Sequence, residues 1–224
     1  MKKIRVCLLG LFVLSFILLP VVAFADTVTL SGLSANDGAY YIAPYTLTIS
    51  GVGKVDAFCL DFYHDSYLGQ TWTANVTPVS GSDYSNTYQA LNTPSGTYAA
   101  MVYLASIYGN YSSDLKTQID IQHAIWDLSS GQQAGSISGM RYLDANALYW
   151  FNQGWSNTTD TSGWIILTDI SGNKYPSGGY NGITLGGAQE FLYKDPVATP
   201  EPGTIILLGS GLVGLVGFRR KFKG

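Results

Sequence analysis

Residues 55–62 have the sequence Val-Asp-Ala-Phe-Cys-Leu-Asp-Phe, and this stretch decides the fold class. Successive side chains of a β-strand point to opposite faces, so Phe58, Leu60 and Phe62 share one face. Cys59 lies on the other face, among small side chains that leave its sulfur approachable. The stretch therefore predicts a strand with large apolar side chains on one side and a cysteine on the other.

Similar strand patterns occur on both sides of this stretch. The segments are rich in β-branched and aromatic residues and are separated by Gly, Asn, Asp and Ser, which favour turns. They are residues 27–33, 40–49, 55–63, 71–79, 163–170 and 183–193. Helical patterns lie between them, at 84–91, 97–108, 114–128 and 141–151. Strands followed by helices and then strands predict an α+β fold, with a β-sandwich or barrel-like antiparallel sheet and a helical insertion.

The helix predicted over 114–128 carries an amide on its apolar side. On a helical wheel Leu115 and Trp126 lie close together, and Gln122 lies beside them near the middle of the apolar arc. The opposite side is predicted to be polar, and it carries Lys116, Asp120, His123 and Asp127. Burying an unpaired amide costs about 1–3 kcal/mol. Gln122 therefore needs a hydrogen-bond partner or a chemical use.

The chain has two cysteines, Cys7 and Cys59. Cys7 lies in an N-terminal segment that we expect to be removed on export, which leaves Cys59 without a disulfide partner. An unpaired thiol in an oxidising compartment is a liability unless it is buried or used. One bond would explain both unusual residues: a thioester between the Cys59 sulfur and the side-chain carbonyl of Gln122, formed with loss of ammonia.

The N-terminus has the pattern of a secretory signal peptide over residues 1–25. Lys2, Lys3 and Arg5 are followed by an uncharged apolar run over 6–22 and by Ala-Phe-Ala at 23–25, which fits a cleavage site. An uncleaved membrane anchor is the alternative. Residues 26–195 are then predicted to form one extracellular domain, which is long enough to bury a sizeable core.

The C-terminal segment, 196–224, has three features in a fixed order. Pro200, Glu201 and Pro202 precede an apolar run over 204–218, which is followed by a basic end that includes Arg219 and Arg220. The run is short for a helix that must cross about 30 Å of hydrocarbon. The basic end is predicted to stay in the cytoplasm. The order of features resembles the PEP-CTERM sorting signal of Gram-negative bacteria.

That resemblance implies recognition and cleavage by an exosortase. The precursor would be held transiently in the inner membrane by its C-terminal transmembrane segment, and the product would reach the cell surface or the exopolysaccharide matrix. A plain membrane anchor without processing is the alternative. Residues 26–199 carry five basic and fourteen acidic side chains, a formal net charge of −9. Nucleic-acid binding through phosphate neutralisation is therefore not expected.

Residues 122–126, Gln-His-Ala-Ile-Trp, resemble the Gln-x-Ala-aliphatic-Trp motif of bacterial surface thioester domains, the TQXA-type adhesin modules. In that family the glutamine is joined to an upstream cysteine on a strand, and Cys59 fits that description. The resemblance implies a Cys59–Gln122 thioester that an amine or hydroxyl on a surface protein or polysaccharide opens to form a covalent crosslink. This is a single-use reaction, so the protein is not expected to be an enzyme.

Three neighbours of the pair are candidate supporting residues. His123 is either a base for the attacking group or a solvent-facing side chain. Trp126 is assigned to packing that excludes water. Asp61 shares the Cys59 face and either positions the incoming group or is an ordinary exposed acid.

Two other functions stay open. All sixteen tyrosines lie in the domain, and they suit noncovalent binding of saccharide or protein by the same fold. A cysteine hydrolase would use Cys59 with His64 or His123, although no orienting group or oxyanion site is recognisable. A metal site from Asp61, His64 and Asp65 has little support, because the chain has only two histidines. No cofactor is predicted.

Overall fold

The computed structural model describes residues 25–88, 96–129, 145–172, 186–196 and 209–211. Its strands are β1 (Ala25–Asn36), β2 (Tyr41–Ile49), β3 (Gly53–Cys59), β4 (Thr71–Pro78), β5 (Trp164–Asp169) and β6 (Phe191–Lys194). Its helices are α1 (Thr97–Tyr108), the 3-10 turn Gly109–Tyr111, α2 (Leu115–Ser129) and α3 (Ala145–Ser156).

The six strands form a closed antiparallel barrel in the order β1-β2-β3-β6-β5-β4. The short strand β6 completes the barrel, because it pairs with β3 through Cys59 and Phe191 and with β5 through Leu167 and Phe191. Alternate side chains of the strands fill the interior, and Ala57, Cys59 and Phe191 are fully buried there. The predicted α+β fold with a barrel-like sheet is confirmed.

The three helices pack against one another, and α2 also contacts β2 and β3. The buried side of α2 includes Ile121, Gln122, Ile125 and Trp126, each with at most 1 % of its surface exposed. The helical insertion therefore places the side chain of Gln122 against the end of the strand that carries Cys59.

Two of the predicted elements differ from the structure. Residues 84–88 of the predicted helix 84–91 form turns, in which the Tyr84 carbonyl accepts bonds from the amide and hydroxyl of Thr87; 89–91 lie outside the described residues. The last strand begins at Phe191 rather than 183, because Ala188 instead donates its amide to the Asp169 carboxylate. Residues 183–185 are not described, and neither are 141–144 of the predicted helix 141–151.

The side of α2 that was predicted to be polar does not face solvent. Asp120, His123 and Asp127 are 6 %, 8 % and 0 % exposed, and the outermost position, Lys116, keeps its ammonium in solvent while pairing with Asp120 at 3.0 Å. The reason is that α1, α3 and the β1–β2 loop pack around this helix, so both of its sides are covered.

Both predicted targeting segments fall largely outside the described part of the chain, as residues 1–24, 197–208 and 212–224 are not described. Within the described ranges, no helix has the length and apolar character needed to cross a membrane.

Candidate functional site: the Cys59–Gln122 pair

The structure brings Cys59 and Gln122 together at the junction of β3 and α2. The Gln122 Nε2 donates a hydrogen bond to the Cys59 carbonyl oxygen at 2.8 Å, and the Ala43 amide donates to Gln122 Oε1 at 3.4 Å. Both side chains are fully buried. The amide of Gln122 is thus satisfied at both ends, which removes the cost of burying it unpaired.

The segment that holds the Gln122 carbonyl oxygen is itself anchored from the helical side. Ala43 lies in β2 and is fully buried, and the Tyr108 hydroxyl of α1 donates to its carbonyl oxygen. Phe58 packs edge-to-face on the Tyr108 ring at 5.2 Å. Strand β2, helix α1 and helix α2 therefore fix the orientation of the Gln122 carboxamide relative to β3.

The Cys59 thiol is kept in its neutral form. Burial raises the pKa of Cys59 well above its usual range, and the negative charge of Asp61 raises it further. The Trp126 side chain acts in the opposite direction and favours the thiolate, but burial and Asp61 outweigh it. The thiol donates to the Asp61 carbonyl oxygen at 3.0 Å. Cys59 is therefore a dry, unionised thiol rather than a reactive surface thiolate.

Trp126 covers the pair on the outer side of this site. Its ring lies 5.2 Å from Phe62 and 6.4 Å from Tyr40, and it stacks on His123 at 5.5 Å with an interplanar angle of 25°. Only 1 % of Trp126 is exposed. The expectation that Trp126 serves in packing agrees with these contacts.

His123 is paired with a residue that sequence reasoning missed. Its Nε2 lies 2.8 Å from the carboxylate of Asp37 in the β1–β2 loop, and its ring is largely buried, so the solvent-facing alternative is wrong. Burial opposes the charge on Asp37, but amide bonds from Tyr40 and Ala39 and the contact with His123 outweigh it and lower the Asp37 pKa. This pair fastens the β1–β2 loop to α2 beside Trp126.

Asp61 is fully buried, so the alternative of an ordinary exposed acid is also wrong. Its carboxylate accepts the amide of Tyr63 at 2.9 Å and contacts His64 Nδ1. His64 stacks on Tyr88 with ring centroids 4.2 Å apart. Asp65, the third residue of the weakly supported metal site, is exposed, and the described part of the chain contains no cluster of His, Cys, Asp and Glu suited to a metal ion.

Glu190 is a further buried acid, whose burial the sequence did not reveal. Its carboxylate accepts bonds from Thr168 Oγ1 at 2.6 Å, the Tyr88 amide at 2.9 Å and the Tyr98 hydroxyl at 3.1 Å. Burial raises the pKa of Glu190 to about 7 despite these donors. Its carbonyl accepts the Leu60 amide, one residue beyond Cys59. The only sequence signal was an acid directly before the apolar run that begins at Phe191.

Comparison with known proteins identifies the C-terminal segment. Residues 198–221 match the family described as the PEP-CTERM protein-sorting motif, which confirms the predicted sorting signal. The chain is thus an exported protein that exosortase sorts and that associates transiently with the membrane through its C-terminus. No curated protein and no solved structure matches the chain.

Proposed function

We propose that this exported protein stores an internal thioester between Cys59 and Gln122 and uses it for covalent attachment to an amine or hydroxyl on a partner at the cell surface or in the extracellular matrix. The proposal rests on the environment of the Gln122 side chain. Its carboxamide is fully buried, bonded to the backbone of Cys59 and polarised by the Ala43 amide.

Bond formation is a condensation within the folded chain. The Cys59 sulfur attacks the side-chain carbonyl carbon of Gln122, and the Ala43 N–H stabilises the oxygen as it gains negative charge. The C–N bond breaks, and the nitrogen leaves as ammonia with the thiol proton. Holding the two groups together replaces a bimolecular encounter, which lowers the barrier by removing its entropic part.

The stored bond is later opened by a nucleophile from outside. An amine or hydroxyl attacks the same carbonyl, the C–S bond breaks, and the sulfur takes up the proton that the nucleophile loses. The products are an amide or ester at Gln122 and a free Cys59 thiol. Since each molecule reacts once, the protein acts as a crosslinking adhesin and not as an enzyme. Trp126 protects the bond from water until then.

The test is the intact mass of the exported protein. We expect the wild type to be lighter than its sequence by one ammonia, and Cys59→Ala and Gln122→Ala to have full mass. Methylamine should add its full mass to the wild type as an N-methyl amide on Gln122, one CH2 above the sequence mass, and make Cys59 available to alkylation. A wild type of full mass whose Cys59 is alkylated on denaturation would refute the thioester.

The second candidate is noncovalent binding by the same fold. It is favoured by tyrosines that stay in solvent beside Trp126: Tyr40 is 39 % exposed and Tyr41 53 %. The cysteine hydrolase is less favoured, because the Cys59 thiol is fully buried, has a raised pKa and donates its proton to the Asp61 carbonyl oxygen at 3.0 Å, an acceptor that cannot act as a general base. Repeated turnover of an ester or amide substrate that is lost in Cys59→Ser would support it instead.

A further inference from the structure

A pocket of about 150 Å³ lies on the outer side of Trp126. Its walls combine aromatic rings with a few polar groups, mainly Tyr40, Tyr41, Phe62, Trp126, Asp65 and Gln189. Binding sites for small molecules have this composition, in which rings supply contact area and polar groups set orientation. The volume is below that of sites for larger ligands and suits a single ring-sized unit.

The aromatic wall is rigid at its base and open at its rim. Tyr40 packs edge-to-face on Phe62 at 5.0 Å, and Phe62 packs in turn on Trp126. Tyr41 begins strand β2 and leaves about half of its surface in solvent. The negative face of a tyrosine ring attracts polarised C–H groups, which a pyranose ring presents on its flat sides.

The polar wall is held in place by contacts below it. The backbone amide of Gln189 donates to Ser66 Oγ at 2.8 Å, and its side-chain Nε2 donates to the Asp61 carbonyl oxygen at 2.9 Å. The side-chain oxygen of Gln189 is therefore held in a fixed orientation as an acceptor. Asp65 adds an exposed carboxylate. Hydroxyl groups of a saccharide would find acceptors at both positions.

The charge of this region selects the kind of saccharide. Lysine, arginine and histidine are missing from the described residues that line the pocket, and the domain carries a formal net charge of −9 over residues 26–199. Acidic or phosphorylated sugars are disfavoured there, whereas a sugar with a positive substituent is attracted to the Asp65 side.

We propose that this pocket binds one pyranose unit with a free, non-acylated amino group, within an amino-sugar polymer. The sugar ring stacks on Tyr41, and its ammonium pairs with Asp65. This recognition needs no thioester, although its use in bringing a polymer hydroxyl to Gln122 rests on the proposed function. The pocket then supplies the specificity that a buried carbonyl cannot provide by itself.

The test uses full-length protein carrying Cys59→Ala, so that binding is measured without any covalent reaction. Calorimetry compares a glucosamine oligomer, its N-acetylated counterpart, a neutral glucose oligomer and methylamine. We expect the glucosamine oligomer to bind tightest. Asp65→Asn should weaken it about threefold, as for an exposed ion pair, and Tyr41→Ala about tenfold, as for a lost aromatic contact. Tyr41→Phe should retain binding.

Two exposed positions outside the pocket provide matched controls. Tyr67, which is 67 % exposed, and Asp56 in β3 should tolerate Tyr67→Ala and Asp56→Asn without loss of affinity. The proposal is overturned if none of the oligomers binds, if the N-acetylated oligomer binds equally well, or if methylamine binds as tightly as the sugar. A missing thioester in the wild type would leave these results unchanged, so the two proposals fail separately.

Discussion

The two sides of the Trp126 indole are opposite environments. On the inner side Cys59, Gln122 and Asp61 are fully buried, whereas on the outer side Tyr40 and Tyr41 remain exposed around a pocket. A stored acyl bond survives only where water is excluded, and recognition of a partner needs a surface that a partner can reach. The Trp126 side chain lies between the buried pair and the exposed pocket. Residues of one region can therefore be substituted while the stability or reactivity of the other is measured.

The acids on the two sides of Trp126 also differ, because their pKa values are shifted in opposite directions. Glu190, on the inner side, has its pKa raised by burial, and Asp37, on the outer side, has its pKa lowered by amide donors. The inner side therefore disfavours charge and the outer side stabilises it. Opposite pH dependences of stability follow from this difference.

The largest effect is expected from removing the separating ring. Trp126→Ala should lower the free energy of unfolding by about 3–5 kcal/mol, because a buried tryptophan is replaced by a cavity. The surviving protein should also lose its thioester to hydrolysis. Chemical denaturation and intact mass measure both effects. Trp155→Ala is the control, since Trp155 is 41 % exposed on α3; an equal loss there would contradict a special role for Trp126.

The inner side is tested next through Glu190. Its folded-state pKa of about 7 lies above the ordinary glutamate value of 4.5, so the folded protein binds an extra proton between these pH values. The contribution of Glu190 to the free energy of unfolding should therefore be largest below about pH 4.5. It should fall by on the order of 3 kcal/mol as the pH rises to about 7. Glu190→Gln should remove this decline in urea unfolding at pH 5 and pH 8. An unchanged decline would assign it to another group.

Gln122→Glu should have an intermediate effect. The variant keeps the shape of the side chain but loses the amide that donates to the Cys59 carbonyl, so we expect a loss of about 1–3 kcal/mol at neutral pH. The mass deficit should vanish with it. Gln118→Glu, on the same helix but only partly buried, should change neither quantity by a comparable amount. Equal effects of both variants would contradict a special role for the buried Gln122 carboxamide.

The sequence predicted the inner side better than the outer side. Period-two and helical patterns depend on local geometry, so they located the strands, α1, α2 and the buried Gln122. The polar residues of α2 were misplaced, because a helical wheel shows one helix and not the helix α3 or the loop that covers its second side. The pocket and the Asp37–His123 contact join residues far apart in sequence, and only the closed barrel brings them together.

The smallest effect is expected on the outer side, from Asp37→Asn. The folded-state pKa of Asp37 is lowered, so its contribution to stability is present above about pH 4 and is lost as the pH falls below that value. The Asp37 side chain is only 9 % exposed, but it lies in a surface loop, and an ion pair close to the surface contributes about 1 kcal/mol or less. Asp83→Asn is the control, because Asp83 is exposed and its lowered pKa comes from Ser85 alone. If Asp37→Asn speeds hydrolysis of the thioester while Asp83→Asn does not, the loop held by His123 helps to keep Trp126 over the bond. Equal hydrolysis rates would show that Trp126 needs only Phe62 and the helix beneath it to separate the two sides.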